Sequence, residues 1–154
     1  MGDRSVTRNC GPDLARVGAG LPVAAYRDEI TTALHGGRAV IVAPPGTGKT
    51  TFVPPLVASR CSGRVIVTQP RRVAARAAAR RLAALTGTRP GEFESHTVHG
   101  ESTTTRDTKV EFVTTGVLLR RLLSDPDLTG VDAVVLDEVH ERHLDADLVV
   151  AMVC

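Results

Sequence analysis

Short apolar runs alternating with helix-patterned stretches predict an α/β fold, a mostly parallel sheet with helices on both faces. Ala39 to Ala43, Arg64 to Thr68 and Val131 to Leu136 are continuous, largely apolar runs of strand length, the pattern of strands covered on both sides. Stretches with helix spacing or helix-forming composition stand between them. A glycine-rich turn joins the first run to the helix after it, and two acidic residues follow the last.

In chain order, residues 1–20 are polar, carry glycine without periodicity and read as a flexible leader, so the folded domain is expected over 21–154. Pro22 opens a helix to Leu34, with Ala25, Ile30 and Leu34 near helix spacing and His35-Gly36-Gly37 as its stop. The first strand, Ala39 to Ala43, leads through the glycine-rich turn into a helix from about Lys49 to Ser59. A second strand, Arg64 to Thr68, precedes an Ala- and Arg-rich helix from Arg72 to Leu85 that ends near Gly87. Two β-rich stretches follow, around Thr97-Val98-His99 and over Lys109 to Val113. Gly116 to Leu123 reads as helix, and Asp125-Pro126 stops it. The last strand, Val131 to Leu136, passes through Asp137-Glu138-Val139-His140 into a helical segment that runs to the end.

Composition bounds the function. A chain of 154 residues has room for one domain, and 42% hydrophobic with 23% charged residues is the balance of a globular one. No apolar run approaches the roughly 18 residues of a membrane span, and the polar start lacks a secretory layout, so a cytoplasmic protein with no membrane partner is expected. Cys10, Cys61 and Cys154 are too scattered for a zinc pattern or a disulfide framework. A net charge of +2 does not announce a nucleic-acid partner, and 3% aromatic residues argue against a base-stacking platform.

Chemistry concentrates in two places. Ala43-Pro44-Pro45-Gly46-Thr47-Gly48-Lys49-Thr50 follows the phosphate-binding loop pattern, with alanine at its opening glycine, between a strand and a helix. Glycines let backbone N–H groups turn inward around phosphates, the helix N-terminus adds positive potential, Lys49 reaches the β- and γ-phosphates, and the Thr50 hydroxyl ligates Mg²⁺. Pro45, Gly46, Thr47, Gly48, Lys49, Thr50 and Thr51 are the candidate ATP contacts. Val134-Val135-Leu136-Asp137-Glu138 supplies the complement, two carboxylates at the C-terminal end of a buried strand. Asp137 would hold Mg²⁺ and Glu138 would orient and deprotonate the attacking water, since phosphoryl transfer needs neutralised charge and a positioned nucleophile in one site.

With these motifs in hand, the chain resembles the DEAH-box ATP-dependent helicases. Asp137-Glu138-Val139-His140-Glu141-Arg142 is similar to their signature, with Val in the alanine place; Thr68-Gln69-Pro70-Arg71-Arg72-Val73-Ala74-Ala75 and Thr114-Thr115-Gly116 are similar to their first and second nucleic-acid motifs. Leu21-Pro22-Val23 and Ser124-Asp125-Pro126-Asp127-Leu128 further resemble the bacterial HrpB-like branch. The resemblance implies a P-loop NTPase lobe of RecA-like fold that hydrolyses ATP with Mg²⁺ and contacts one strand of RNA or DNA through its backbone. Arg71 or Arg72, with Thr115, would contact phosphates, and His140 would couple the nucleotide site to the strand that follows in longer relatives. Where relatives carry Gly-Tyr and then Arg, this sequence has His96-Thr97 and then His99. Arg76 and Arg80 continue the Arg72 stripe at helical spacing and read as solvated surface, as do His35, His96, His99 and His143.

The resemblance also implies a partner, a second RecA-like lobe, and a downstream Ser-Ala-Thr motif, neither of which this length accommodates. In similar P-loop folds the strand after the Asp-Glu motif lies between the loop strand and the carboxylate strand, so Ala39 to Ala43 and Val131 to Leu136 are expected to flank a gap. Two other readings compete with a motor lobe: a nucleotide-dependent binding switch, against which Glu138 speaks, and a truncated, inactive product, which the length favours.

Overall fold

The computed structural model describes residues 11–141 and 143–153. Helix α1 (Leu14–Gly18) is followed by a 3₁₀ turn (Pro22–Tyr26), α2 (Arg27–Leu34), α3 (Lys49–Ala58), β1 (Arg64–Gln69), α4 (Arg72–Thr86) and β2 (Glu94–Val98). Then come β3 (Glu101–Ser102), β4 (Val110–Thr114), α5 (Thr115–Ser124), β5 (Val131–Leu136) and α6 (Leu144–Val153). The strands form one five-stranded sheet in the order β3-β2-β4-β1-β5, parallel throughout except for β2 with β3.

Strand pleating sends alternate side chains to opposite faces, and the two faces carry separate cores. Val65, Val67, Val110 and Phe112 face one way, into a cluster with Phe52 and Leu56 of α3 and Ala75, Ala79 and Leu82 of α4. Ile66 and Val113 face the other way, onto Leu118 and Leu122 of α5 and Val149 of α6. Each large aliphatic side chain buried in this way contributes about 1.5–3 kcal/mol. Gly87 ends α4 at φ +72°, in the left-handed region that glycine enters without steric cost, and its N–H closes on the Ala83 carbonyl.

Several sequence expectations are corrected. The leader expected over 1–20 contains α1: Asp13 caps the helix by accepting from the N–H groups of Ala15 and Arg16, and Leu14 and Val17 enter the core three residues apart. Residues 1–10, Cys10 and Cys154 among them, lie outside the described residues. The single helix expected over Pro22 to Leu34 is a 3₁₀ turn followed by α2. The helical segment expected to follow Asp137-Glu138-Val139-His140 begins at Leu144. Glu138 takes a left-handed φ of +55°, which lies outside the helical region, and its carbonyl accepts the Glu141 N–H at 2.9 Å, closing a turn ahead of α6.

The run Ala39 to Ala43 joins no ladder. Val40 and Val42 are 91% and 90% exposed, while Ile41 turns inward against the core. β-branched residues form a strand only where a neighbour offers hydrogen bonds, and the sheet ends at β5, which pairs with β1 on one side alone among the described residues. The strand expected over Ala39 to Ala43 is thus not formed, and β5 is left with one open edge among the described residues.

One charged group sits deep in the sheet. Glu111 of β4 is fully buried. The Arg121 guanidinium of α5 donates to both its oxygens at 2.8 and 2.6 Å, Arg64 of β1 donates at 3.2 Å, and the hydroxyls of Thr97 and Thr104 donate at 2.5 and 3.1 Å. Burial pushes the Glu111 carboxyl up, but the bonds from Arg121 and Thr97 and the charges of Arg121 and Arg64 outweigh it and hold it at about 2. The cluster ties β1, β2, β4 and α5 together.

Candidate functional site

Because β1, β4 and β5 are parallel, their carboxyl ends share one edge of the sheet, and the segments that follow them meet there. The phosphate-binding loop comes to the same edge at the head of α3. Gly46 and Gly48 hold φ of +77° and +90°, which turns the loop, and a Cβ added at Gly46 would meet nothing within 4 Å. The loop is braced from behind. Leu21 packs over Gly48, where an added Cβ would lie 3.0 Å from its side chain, and the Val23 N–H donates to the Thr47 carbonyl at 3.0 Å. The Thr47 hydroxyl donates to the Pro44 carbonyl at 2.9 Å. Lys49 lies along the inside of the turn, its ammonium donating to the carbonyls of Ala43 and, at 3.1 Å, Pro44.

The Thr50 hydroxyl donates to Asp137 Oδ2 at 2.5 Å, joining residues 87 positions apart in the chain. Two hard oxygen atoms, one of a carboxylate, are thus placed at the first turn of α3 beside the curve of the loop. Asp137 is fixed by two further donors. The buried Gln69 side chain donates Nε2–H to the same Oδ2 at 2.7 Å, and the Glu138 N–H donates to Oδ1 at 3.0 Å. Glu138 projects from the left-handed turn with its Oε2 3.0 Å from His140 Nε2. Backbone strain of this kind, costing of order 1–3 kcal/mol, clusters at active sites.

Thr51 departs from the group. Its N–H donates to the Gly48 carbonyl and its hydroxyl accepts from Arg81 Nε at 3.3 Å, so its side chain serves the α3–α4 contact. Pro70 and Thr115 line one cleft with Asp137, Glu138 and Glu141. Arg71 stands beside that cleft, 78% exposed, with its guanidinium 3.9 Å from the Glu141 carboxylate. Arg72, the first residue of α4, is exposed.

The profile of the DEAD/DEAH box helicase family matches residues 26–147. The chain belongs to the DEAD/DEAH box helicase family. It is 42% identical over 135 residues to the ATP-dependent RNA helicase HrpB of Escherichia coli, covering 86% of this chain and 17% of that protein. It is 36% identical over 140 residues to the probable ATP-dependent RNA helicase DHX34 of Homo sapiens, covering 90% of this chain and 12% of the relative. The crystal structure of the Escherichia coli DEAH/RHA helicase HrpB superposes with a TM-score of 0.82 at 41% identity, over 86% of this chain and 17% of that one. The chain thus spans less than a fifth of the length of these relatives.

In this helicase-family lobe two arginine and histidine assignments change. Arg76 is not a solvated stripe residue: it pairs with Glu101, whose other carboxylate oxygen lies 2.7 Å from His96 Nε2. His96 is buried, because it points from β2 toward α4. His99 is exposed, with its Nδ1 3.4 Å from the Arg120 guanidinium, and Arg80, His35 and His143 are exposed as expected. Arg142 lies outside the described residues. Gln69 lies within the motif Thr68 to Ala75, and the sequence alone assigns it no role. A lone amide at a strand end reads as turn chemistry, and only the fold brings it to Asp137.

Proposed function

We propose that this chain is the ATP-binding and ATP-hydrolysing RecA-like lobe of a DEAH-box helicase that works on a single strand of RNA or DNA. The contact between Thr50 and Asp137 carries the reading, because it unites the phosphate loop and the carboxylate strand in one site. Backbone N–H groups from Gly46 to Gly48 and the Lys49 ammonium receive the phosphates of ATP. Thr50 and Asp137 hold Mg²⁺, which neutralises phosphate charge. Among the described residues no three His, Cys, Asp or Glu side chains gather to hold a metal. A hydroxyl and one carboxylate suit Mg²⁺, which completes its shell with phosphate oxygens and water. Glu138 orients the attacking water and takes its proton, and His140 steadies the Glu138 carboxylate.

A second RecA-like lobe is the partner that would close over the nucleotide and supply an arginine to the developing charge. RNA is the substrate that the names of the relatives favour. No helix among the described residues is long and apolar enough to cross a membrane. The nucleic-acid strand runs along the carboxyl edge over Arg71 and Thr115, with Arg72 at its margin.

Arg71 should contact a phosphate and no base edge. Arg71→Ala is then expected to weaken single-strand binding about equally across sequences and to flatten the slope of log affinity against log salt by about 0.7. Fluorescence anisotropy with labelled oligonucleotides of differing sequence, titrated at several salt concentrations, measures both. An unaltered slope would return Arg71 to the solvated surface.

A further inference from the structure

We infer that Gln69 is the positioning residue that couples the nucleic-acid edge to the nucleotide site, through its side-chain hydrogen bond to Asp137. This deepens the function proposed above and rests on it. Gln69 is 4% exposed and ends β1, and its Nε2–H reaches Asp137 Oδ2, the oxygen that also receives the Thr50 hydroxyl. Its backbone pairs in register with Thr114, the residue before Thr115. On its other side stands Pro70 and then Arg71. One buried amide therefore touches the proposed Mg²⁺ ligand, while its main chain adjoins both proposed phosphate contacts.

The connection is stiff where it needs to be. Pro70 has a fixed φ, so a displacement of Arg71 toward a phosphate is carried into Gln69 more than it is absorbed at the joint. A second bridge, Arg71 to Glu141 at 3.9 Å, spans the same two segments. It is exposed and screened, and a phosphate would compete for its arginine, whereas the Gln69 bond is shielded and accepted by a carboxylate. Moving Gln69 changes the donors on Asp137 Oδ2. Equally, any change in the bonds to Asp137 Oδ2 when Mg-nucleotide binds would be passed to Gln69 and the turn after it. Such coupling is reciprocal by thermodynamic necessity, and the same factor appears in both affinities.

The test is a coupling factor, which loss of packing alone would not erase. Affinity for a fluorescein-labelled oligouridylate is measured with and without saturating Mg-ADP, and affinity for a fluorescent ADP analogue with and without the oligonucleotide. The wild-type chain is expected to show one common factor, of about 5 to 150. Gln69→Met, which keeps the length and apolar stem but cannot donate, should bring that factor to within about twofold of unity in both directions, whatever it costs either ligand alone. Gln69→Asn, one methylene too short to reach, should do the same and stands in if Gln69→Met does not unfold cooperatively. A wild-type factor of one, or a factor retained in a folded Gln69 variant, overturns the role of Gln69 while leaving both sites intact. Failure of the wild type to bind the oligonucleotide at all would instead contradict the proposed function.

Discussion

Replacing Glu111 with alanine should destabilise the fold by about 3 kcal/mol. Breaking a buried ion pair by removing one partner costs about 3–5 kcal/mol, because the remaining charge is left uncompensated. The lower end applies here, since the Arg64 and Arg121 side chains are 27% and 32% exposed and can regain some water. For a domain of this size each kcal/mol moves the midpoint by about 2–4 °C, so thermal unfolding should begin about 6–12 °C earlier. Glu111→Gln, which keeps the shape and one acceptor, should lose less. The pH dependence has a definite sign. A carboxyl held at about 2, against an ordinary 4.5, contributes stability that is fully present above about 4.5 and is lost as pH falls from there toward about 2. The slope of stability against pH in that window should shrink in Glu111→Gln. A loss under about 0.5 kcal/mol in Glu111→Ala would show that the cluster is not the structural tie described.

Glu138→Gln should separate binding from turnover. The side chain projects from a left-handed turn directly after Asp137 and touches neither the loop nor Lys49 in the contacts of the site, so the amide should leave nucleotide affinity nearly intact. Loss of a general base lowers the rate by at least about 10²-fold. Turnover is to be measured in a protein that carries this lobe together with a second RecA-like lobe, with and without RNA, alongside nucleotide titration of the same variant. Unchanged turnover would place the base elsewhere. A parallel fall in affinity would show that Glu138 binds the nucleotide rather than acting on water.

Much of the site is legible in the sequence because its signals are local. The phosphate loop is specified by glycines at fixed offsets before Lys49 and Thr50, and the carboxylate strand by an apolar run that ends at Asp137. Both sit where α/β topology puts its sites. The limits of β5 and the start of α3 follow from the same local patterns. What escapes is what depends on partners distant in sequence. Glu111 looks like one charge in a β-rich stretch, and its meaning comes from Arg64, Thr97 and Arg121 on three other elements. Gln69 gains its role only when β1 lies beside β5. Val40-Ile41-Val42 has the composition of a strand, yet strand formation requires a ladder, and no neighbouring residue in the chain records whether one is offered. Helix α1 was detectable: Asp13 as cap, with Leu14 and Val17 one turn apart, is an amphipathic signal that the surrounding glycines obscure.

Direct titration of nucleotide bears most heavily on the claim that the Lys49 loop and Asp137 form one ATP site. A fluorescent ATP analogue with Mg²⁺ is titrated into the wild-type chain and into Lys49→Ala, each first shown to unfold cooperatively. Removing a charge-assisted contact to phosphate costs about 1.5–3 kcal/mol, so affinity should fall roughly ten- to a hundred-fold. Equal affinity in the two folded proteins would contradict the assignment.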